Sequence, residues 1–292
     1  MRVLHEVTGL HREPSGLQFK DVRVPKFELN WHQHTEWELT YIVSGSGYRM
    51  VGGSIEAYFP GDLVLIGSGI PHSWVSSDAT DDSARAIVLH ASPERMAWFA
   101  QLSGAERFFQ LTELAHRGIA FEVDDARALE RMAAGVATHG LLLHRTVADV
   151  FAMLEELPYR TLNVGPEPPR TSLGRDSAPQ RALEIMATHF RDPDFGLHSV
   201  LHHVGLSPAN FCAQFKRATG TTFTAQLNQL RTAHAARELA ATKLPINEIA
   251  LRAGYGSVPY FNRVFKRAHG TSPNEFRNQA ASHFGTSRRT NR

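Results

Sequence analysis

A repeat near the end of the chain most constrains its fold. Six residues of GLSPANFCAQFKRATGTTF, which begins at Gly205, recur 50 positions later in GYGSVPYFNRVFKRAHGTSP, which begins at Gly254. They are Phe211, Phe215, Lys216, Arg217, Gly220 and Thr221, which return as Phe261, Phe265, Lys266, Arg267, Gly270 and Thr271. One supersecondary unit therefore occurs twice.

Each copy has the pattern of a short helix, a glycine turn and a second helix. Ser207 and Ser257 are suited to cap the second helices, and the phenylalanines four residues apart face inward. This arrangement predicts a helix-turn-helix in each copy. The segment TFTAQLNQLRTAHAARELAATK lies between the copies. It predicts a helix of about 20 residues, roughly 30 Å long, which is close to the roughly 34 Å of one DNA turn.

The charge of the chain is divided unequally. Residues 1–176 contain 16 basic and 23 acidic residues, whereas residues 177–292 contain 15 basic and 6 acidic ones. An acidic first part joined to a basic last part favours a polyanionic partner for the last part, although ordinary charge fluctuation alone could give such a split.

The outward faces of the two second helices differ in their base-reading chemistry. Arg263 and Asn262 can make bidentate contacts to base edges, whereas Ala213 can only touch a thymine methyl. We therefore predict that the second copy supplies most hydrogen-bonded readout. The basic pairs favour phosphate contacts, the alternative being a solvated helix face. The candidate DNA-binding residues are Ser207, Ala209, Asn210, Ala213, Gln214, Lys216, Arg217, Ser257, Val258, Asn262, Arg263, Lys266 and Arg267.

The rest of the chain predicts three further segments. Residues 1–92 contain short strand-like runs broken by turn residues, which is typical of a small antiparallel barrel or sandwich. Residues 93–156 have helical periodicity, with apolar stripes that suit either dimerisation or an internal core. Residues 157–178 are rich in proline and glycine and predict a linker, and residues 179–292 complete the chain with the repeated unit.

The stretch HQHTEWELTYIVSGSG, residues 32–47, alternates like a strand. Its odd positions are apolar from Trp37 on, whereas its even positions include His32, His34, Glu36 and Glu38. Two imidazoles and a carboxylate on one face, with a further imidazole from a neighbouring strand, suit zinc, nickel, iron or manganese without choosing among them. The lone Cys212 excludes an internal disulfide and is interpreted as a small filler rather than a redox switch.

The repeated unit, the FKR…G motifs and the ending GTSPNEFR resemble the DNA-binding domain of the AraC/XylS family of transcription regulators over residues 180–278. The resemblance implies promoter DNA and RNA polymerase as partners, and a homodimer. The sequence departs from the family in having Leu201 where an alanine is usual and Gln214 where an apolar residue is usual. Ala250 and Val264 keep the usual pattern in the second copy.

The first segment resembles a cupin barrel, a domain with which many such regulators bind an effector. His32, His34, Glu38 and Gly45 match its first motif, and GDLVLIGSGIPHSW, with His72, matches the second except at Gly67 and Ser76. The resemblance implies one divalent ion on His32, His34, Glu38 and His72. The alternative is a metal-free organic effector, such as a sugar, bound by His32, His34, Glu38, Tyr41, His72 and Trp74, with Trp31 as a further apolar contact.

These observations together predict an α+β two-domain protein, with an N-terminal β-barrel (cupin-like) with following helices, and a C-terminal all-α tandem helix-turn-helix domain. The predicted function is transcription regulation, as activator or repressor, through double-stranded DNA and a small-molecule effector. The alternatives are a metal-dependent cupin enzyme fused to a DNA-binding domain, and an architectural DNA-binding protein. No apolar run approaches the roughly 20 residues of a membrane helix, and the first residues do not resemble a signal peptide. A cytoplasmic protein without membrane contact is expected.

Overall fold

The computed structural model describes residues 10, 13–76, 83–102, 104–123, 125–163 and 177–278. Its contacts divide the chain into two compact units, one made mainly of residues 1–176 and the other mainly of residues 177–292. Among the described residues, no helix combines the length and the apolar character needed to cross a bilayer.

The first unit is built on two antiparallel sheets. Its strands are β1 (Leu17–Val24), β2 (Trp37–Ser44), β3 (Gly47–Val51), β4 (Ser54–Tyr58), β5 (Leu63–Ile66), β6 (His72–Ser76), β7 (Ala84–Ala91), β8 (Ile119–Phe121) and β9 (Tyr159–Thr161). One sheet has the order β1-β7-β2-β5-β8-β9, and the other has the order β4-β3-β6. The strand-rich first unit confirms the predicted α+β class, with its strands arranged in two sheets that do not close on each other within the described residues.

The helices of this unit cover one face of the larger sheet. They are α1 (Pro93–Ala100), α2 (Glu106–Leu114), α3 (Asp125–Val136) and α4 (Gly140–Glu156). Leu39 and Tyr41 of β2 are almost wholly buried in the same core cluster as Phe151 and Leu154 of α4. The odd positions of β2 therefore face the helices, and its even positions face away from them.

The structure corrects the predicted boundaries of the middle segments. Strand β8 interrupts the segment 93–156 that was predicted to be helical, and strand β9 lies inside the predicted linker 157–178. Asn163 closes this region, because its side chain donates to Val51 O and Arg117 O and accepts from Gly53 N. Composition alone suggested a linker here, but backbone pairing with β8 makes residues 159–163 part of the first unit. The remainder of the predicted linker, residues 164–176, lies outside the described residues.

The second unit consists of helices within its described residues, which end at residue 278. They include α5 (Ala178–His189), α6 (Leu197–Val204), α7 (Pro208–Thr219), α8 (Phe223–Ala241), α9 (Ile246–Arg252) and α10 (Val258–His269). Helices α6 and α7 form the first helix-turn-helix, and α9 and α10 form the second. Gly205, at a φ of 66°, ends α6 in the left-handed region that favours glycine.

Buried aromatic pairs hold each copy of the repeat together. Phe211 and Phe215 of α7 pack on Phe223 at the start of α8. Phe261 and Phe265 of α10 are fully buried in a cluster with Ala250 and other residues of α8 and α9. The inward-facing phenylalanines that the repeat predicted are confirmed, since all four are 0% exposed.

Candidate functional site

Residues from both sheets and from the segment before β2 meet beside the face of the larger sheet that points away from the helices. The pairing of β2 with β7 places Glu38 directly opposite His90. His32 forms an isolated antiparallel bridge with His72, the first residue of β6. The strand alternation predicted for residues 32–36 is wrong, because β2 begins only at Trp37. His32 and His34 reach the cluster from the segment before the strand.

The carboxylate of Glu38 is the centre of the cluster. Its Oε2 atom lies 3.2 Å from His34 Nε2, 3.3 Å from His72 Nε2 and 3.0 Å from His90 Nε2. Its Oε1 atom accepts a hydrogen bond of 2.6 Å from Thr40 Oγ1. Glu38 is 5% exposed, so these groups largely replace water around the carboxylate.

Three of the four imidazoles are oriented by backbone carbonyls. The Nδ1 atoms of His32, His34 and His72 lie 2.7, 3.0 and 2.8 Å from the oxygens of residues 30, 36 and 70, respectively. An Nδ1–H that donates to a carbonyl leaves the Nε2 atom of a neutral ring as an acceptor. Acceptor nitrogens beside a carboxylate repel it unless a proton or a cation lies between them.

The cluster shifts the pKa values of its members in opposite directions. Burial lowers the pKa of His32 to about 3. Burial also acts to lower the pKa of His34, but the hydrogen bond and charge of Glu38 outweigh it and raise this pKa. Burial acts to raise the pKa of Glu38, but His72, His34 and His90 hold it well below its ordinary value. Glu38 is therefore an anion at neutral pH.

These groups fit a divalent transition metal. The ligand atoms of His32, His34, Glu38 and His72 all lie within 4.8 Å of one another. Three imidazole nitrogens and one carboxylate oxygen are donors that zinc, nickel, iron and manganese accept. The backbone carbonyls behind the rings supply the outer hydrogen bonds that such ligands usually have.

His90 is a member of the cluster that sequence reasoning missed. Unlike the three oriented rings, it has no hydrogen-bond partner at Nδ1 in the described residues. Its Nε2 atom can therefore carry the proton and donate to Glu38. The strand-like run ARAIVLHA contained the signal, because a histidine at its end alternates with alanine and valine on one face.

A cavity of about 580 Å³ opens beside this cluster, within the first unit. His32, Glu38 and Trp74 line it, as does His90. Tyr41 was predicted to bind the effector. That prediction is wrong, because Tyr41 lies at an odd position of β2 and its side chain is buried in the core between the sheet and the helices. Trp31, also predicted as an apolar contact, is 3% exposed and is not among the lining residues.

The two departures from the second cupin motif have local structural reasons. Gly67 donates its backbone N–H to Ala115 O at 2.9 Å, a bond that proline could not make. A Cβ atom at Gly67 would also lie 3.0 Å from the Ala115 backbone. Ser76 Oγ accepts a hydrogen bond from Phe27 N at 2.9 Å, which fixes the backbone of a residue that lines the cavity.

The candidate DNA-binding residues lie on the exposed sides of α7 and α10. Ser257 Oγ accepts from Tyr260 N and caps α10, as predicted. Cys212 is exposed and is not a core filler, so that interpretation is wrong. Val258 is partly buried against the core of the second copy. The exposed candidates are Ser207, Ala209, Asn210, Ala213, Lys216, Arg217, Ser257, Asn262, Arg263, Lys266 and Arg267, with Gln214 half-buried.

One side-chain contact on the exposed face of α7 and one on that of α10 restrict the candidate DNA-binding residues. On α7, Gln214 Nε2 donates to Asn210 Oδ1 at 3.0 Å, which occupies one polar group of each residue. On α10, the Arg263 guanidinium carbon lies 5.2 Å from the centre of the Tyr260 ring. The outer face of α10 therefore offers an arginine held beside an aromatic ring, whereas α7 offers a less charged face.

Comparisons with known proteins agree with both halves of this architecture. A family described as "Cupin domain" matches residues 22–90, and one described as "Helix-turn-helix domain" matches residues 200–279. The arabinose operon regulatory protein of Salmonella typhimurium strain LT2 is 33% identical over 128 residues, which cover 43% of this chain and 44% of the relative. The chain therefore spans less than half of the length of that relative.

Two further relatives extend the comparison. The HTH-type transcriptional activator RhaR of Escherichia coli O139:H28 is 25% identical over 260 residues, or 87% of this chain and 89% of the relative. The solved C-terminal domain of AraT, a response regulator from Geobacillus stearothermophilus, is 37% identical; the match covers 35% of this chain and 84% of that one, with a TM-score of 0.34.

The fold, the site and the two family matches define a cupin domain joined to a tandem helix-turn-helix domain. Both domains resemble those of the AraC/XylS family of transcription regulators.

Proposed function

We propose that the protein is a sequence-specific DNA-binding transcription regulator whose cupin domain binds a small effector. The observation that carries this proposal is the duplicated helix-turn-helix, in which α7 and α10 expose equivalent basic pairs. Lys216 and Arg217 on one helix, and Lys266 and Arg267 on the other, are suited to phosphate, and Arg263 and Asn262 are suited to base edges.

The connecting helix supports binding to two adjacent major-groove segments. Helix α8 has 19 residues, or roughly 28 Å at 1.5 Å per residue. This length is comparable to one helical turn of DNA, roughly 34 Å. Promoter DNA and RNA polymerase are the proposed partners, and the proposed assembly is a homodimer.

The effector role rests on the cavity beside the histidine cluster. An effector that binds there changes DNA binding only by as much as its affinity differs between the DNA-competent and incompetent states. The similarity to an arabinose operon regulatory protein supports a small-molecule effector, because arabinose is a small sugar.

Selection of DNA sites from a random pool tests the DNA-binding proposal. The intact chain is expected to enrich one motif, and a variant with Lys266→Gln and Arg267→Gln is expected to bind all sequences more weakly with a shallower salt dependence. A matched control is Arg252→Gln, which changes an exposed arginine of α9 outside the candidate set. Enrichment of no motif, with salt-sensitive binding to every sequence, contradicts the proposal and favours an architectural role.

We also propose that His32, His34, Glu38 and His72 hold one divalent zinc, nickel, iron or manganese ion. The metal would supply a Lewis acid at the wall of the cavity, and Thr40 and His90 would orient the Glu38 carboxylate. Metal analysis of the purified chain, beside a variant with His34→Ala and His72→Ala, tests this. About one equivalent that the variant loses supports the proposal. A control with His198→Ala and His202→Ala removes two exposed histidines from α6.

A second candidate function is a metal-dependent cupin enzyme fused to the DNA-binding domain. The observation that favours it is that His32 and Glu38 of the proposed metal site line a cavity large enough for a small substrate. Turnover of a candidate substrate by the metal-loaded chain, lost in the variant with His34→Ala and His72→Ala, would support it. Binding of the same compound without turnover favours the regulator.

A further inference from the structure

The cavity in the cupin domain changes from polar to apolar along its strands. In the first row of inner-face residues, Glu38 of β2 lies opposite His90 of β7. The next inward-facing pair is Thr40 and Val88, and the pair after that is Ile42 and Ala86. Because every second residue of a strand points to the same face, all three pairs lie on one face of the sheet. One end of the cavity is therefore ionic, and the other is hydrocarbon.

The apolar end offers little to a ligand with many hydroxyl groups. Val22, Val88 and Phe27 line the cavity together with Ile42 and Ala86. None of these side chains carries a hydrogen-bonding group. A sugar buried there would leave hydroxyls without partners, which costs free energy for each group. Apolar walls favour a ligand with a hydrocarbon or aromatic body.

Two lysines also line the same cavity. Lys20 of β1 lies opposite Val88 of β7 and lines the cavity, and Lys26 lines it from the segment after β1. The acidic residues of the lining are Glu28 and Glu38. Because the histidine cluster already surrounds the Glu38 carboxylate, at least one lysine has no opposing charge within the lining. Such a lysine favours an anionic group on the ligand.

Among the described residues, two hydrogen-bonding atoms of the lining side chains lack a partner. Trp74 Nε1 and His90 Nδ1 are both buried without a hydrogen-bond partner among the described residues. An indole N–H can only donate, so the partner that Trp74 Nε1 lacks is an acceptor. Each unpartnered buried polar atom in a native protein calls for an explanation, such as a functional role or a bound water or ion.

We infer that the cavity binds an amphipathic organic anion, a carboxylate on an apolar aliphatic or aromatic body, and not a sugar. The carboxylate lies toward Lys20 and the histidine cluster, and the apolar body lies against Val22, Ile42 and Ala86. This inference rests on the proposed function, because it names the chemical class of the effector that the cavity takes.

Binding of three matched probes to the full chain tests the inference. The probes are 4-phenylbutyrate, its neutral amide and D-xylose, measured by calorimetry and by tryptophan fluorescence, to which Trp74 in the lining contributes. We expect 4-phenylbutyrate to bind about tenfold tighter than the amide, since a charge-assisted hydrogen bond is stronger than a neutral one. D-xylose is expected not to compete with it.

Two variants with a control locate the binding. Lys20→Met is expected to reduce 4-phenylbutyrate affinity about tenfold and to leave the amide unchanged. Ala86→Leu, which narrows the apolar end, is expected to weaken both probes. Arg23→Met is the control, because Arg23 lies one pleat away on the opposite face of β1 and is outside the lining. Its affinities are expected to match those of the unchanged chain.

The outcomes separate this inference from the proposed function. Equal affinities for the carboxylate and the amide, no binding of either, or competition by D-xylose each overturn the inference. Site selection from random DNA on the same preparation reports on the proposed function independently. If the chain enriches one DNA motif but binds only D-xylose, the proposed regulatory function is supported and the inferred ligand class is wrong.

Discussion

The side-chain amide of Asn228, on α8, donates a hydrogen bond to Tyr260 Oη on α10 at 3.0 Å. Tyr260 in turn lies beneath the Arg263 guanidinium, 5.2 Å from its carbon to the ring centre. The helix that joins the two copies of the repeat is thus connected, through one tyrosine, to a candidate base-reading side chain. We therefore expect Tyr260 to hold Arg263 in position for DNA.

Tyr260→Leu is expected to weaken binding to the selected DNA site about two- to fivefold. A cation–π contact at an exposed site contributes roughly 0.5–1 kcal/mol, and a less ordered arginine reads its base less well. Tyr260→Phe keeps the ring and loses only the bond from Asn228, so its loss is expected to be smaller. The measurement is a titration of labelled DNA with each variant. If Tyr260→Leu weakens binding equally when Arg263 is already alanine, the positioning role is contradicted.

Arg263→Ala is expected to relax sequence preference more than Ala213→Ser. An arginine bidentate to a guanine contributes roughly 1–3 kcal/mol of discrimination, whereas Ala213 offers only a methyl contact. Site selection with both variants gives the information content at each base position. Identical profiles for the two variants would show that α10 does not dominate the hydrogen-bonded readout.

His90→Ala is expected to weaken metal binding about 10- to 100-fold without abolishing it. The ring donates to Glu38 Oε2 at 3.0 Å and so orients a proposed ligand, and loss of such an outer partner typically has an effect of this size. Competition with a chelating dye gives the affinities of His90→Ala and His72→Ala. If both variants lose the metal equally, His90 is itself a ligand.

Asn163→Ala is expected to lower the free energy of unfolding of the first unit by about 2–4 kcal/mol. The side chain makes three hydrogen bonds to backbone groups, and each buried group left without a partner costs roughly 1–3 kcal/mol. Denaturant unfolding followed by fluorescence measures the change. Gln110→Ala, at an exposed position of α2, is the control. A loss no larger than that of the control would mean that water replaces these bonds.

Acid is expected to destabilise the second unit through His234. Burial, and then the charges of Arg237, Arg191 and Arg252, lower the pKa of His234 to about 3. Between its unfolded pKa near 6.5 and its folded pKa, the unfolded state binds the extra proton. Stability from the neutral ring is therefore complete above about pH 6.5 and is lost as the pH falls toward 3. The loss between pH 7 and about pH 4 is at most roughly 3 kcal/mol.

Unfolding of the intact chain and of His234→Gln, measured at several pH values between about 7 and 4, checks this expectation. The variant cannot take up the proton, so its free energy of unfolding is expected to fall less steeply with acid. Parallel curves for the two proteins would show that His234 does not titrate on unfolding.

The helical half of the molecule was predictable because its signals are local. Glycine turns, a serine cap at Ser257 and phenylalanines four residues apart specify each helix-turn-helix within about 20 residues, and the repeat doubles the evidence. The departures from the second cupin motif, at Gly67 and Ser76, could also be located from the sequence, but the structural reasons for them could not. Gly67 replaces a proline because its N–H bonds to Ala115 O, and that partner is 48 residues away in the chain.

The sequence by itself determined the two kinds of domain, the basic faces of the repeat and four members of the histidine–glutamate cluster, since each depends on short spacings. Only the tertiary structure decided that His90 lies opposite Glu38, that Tyr41 belongs to the core, and that β9 belongs to the sheet. Strand partners are chosen by long-range register and by which face is buried. A one-residue change in register reverses every side chain, and no local pattern specifies that choice.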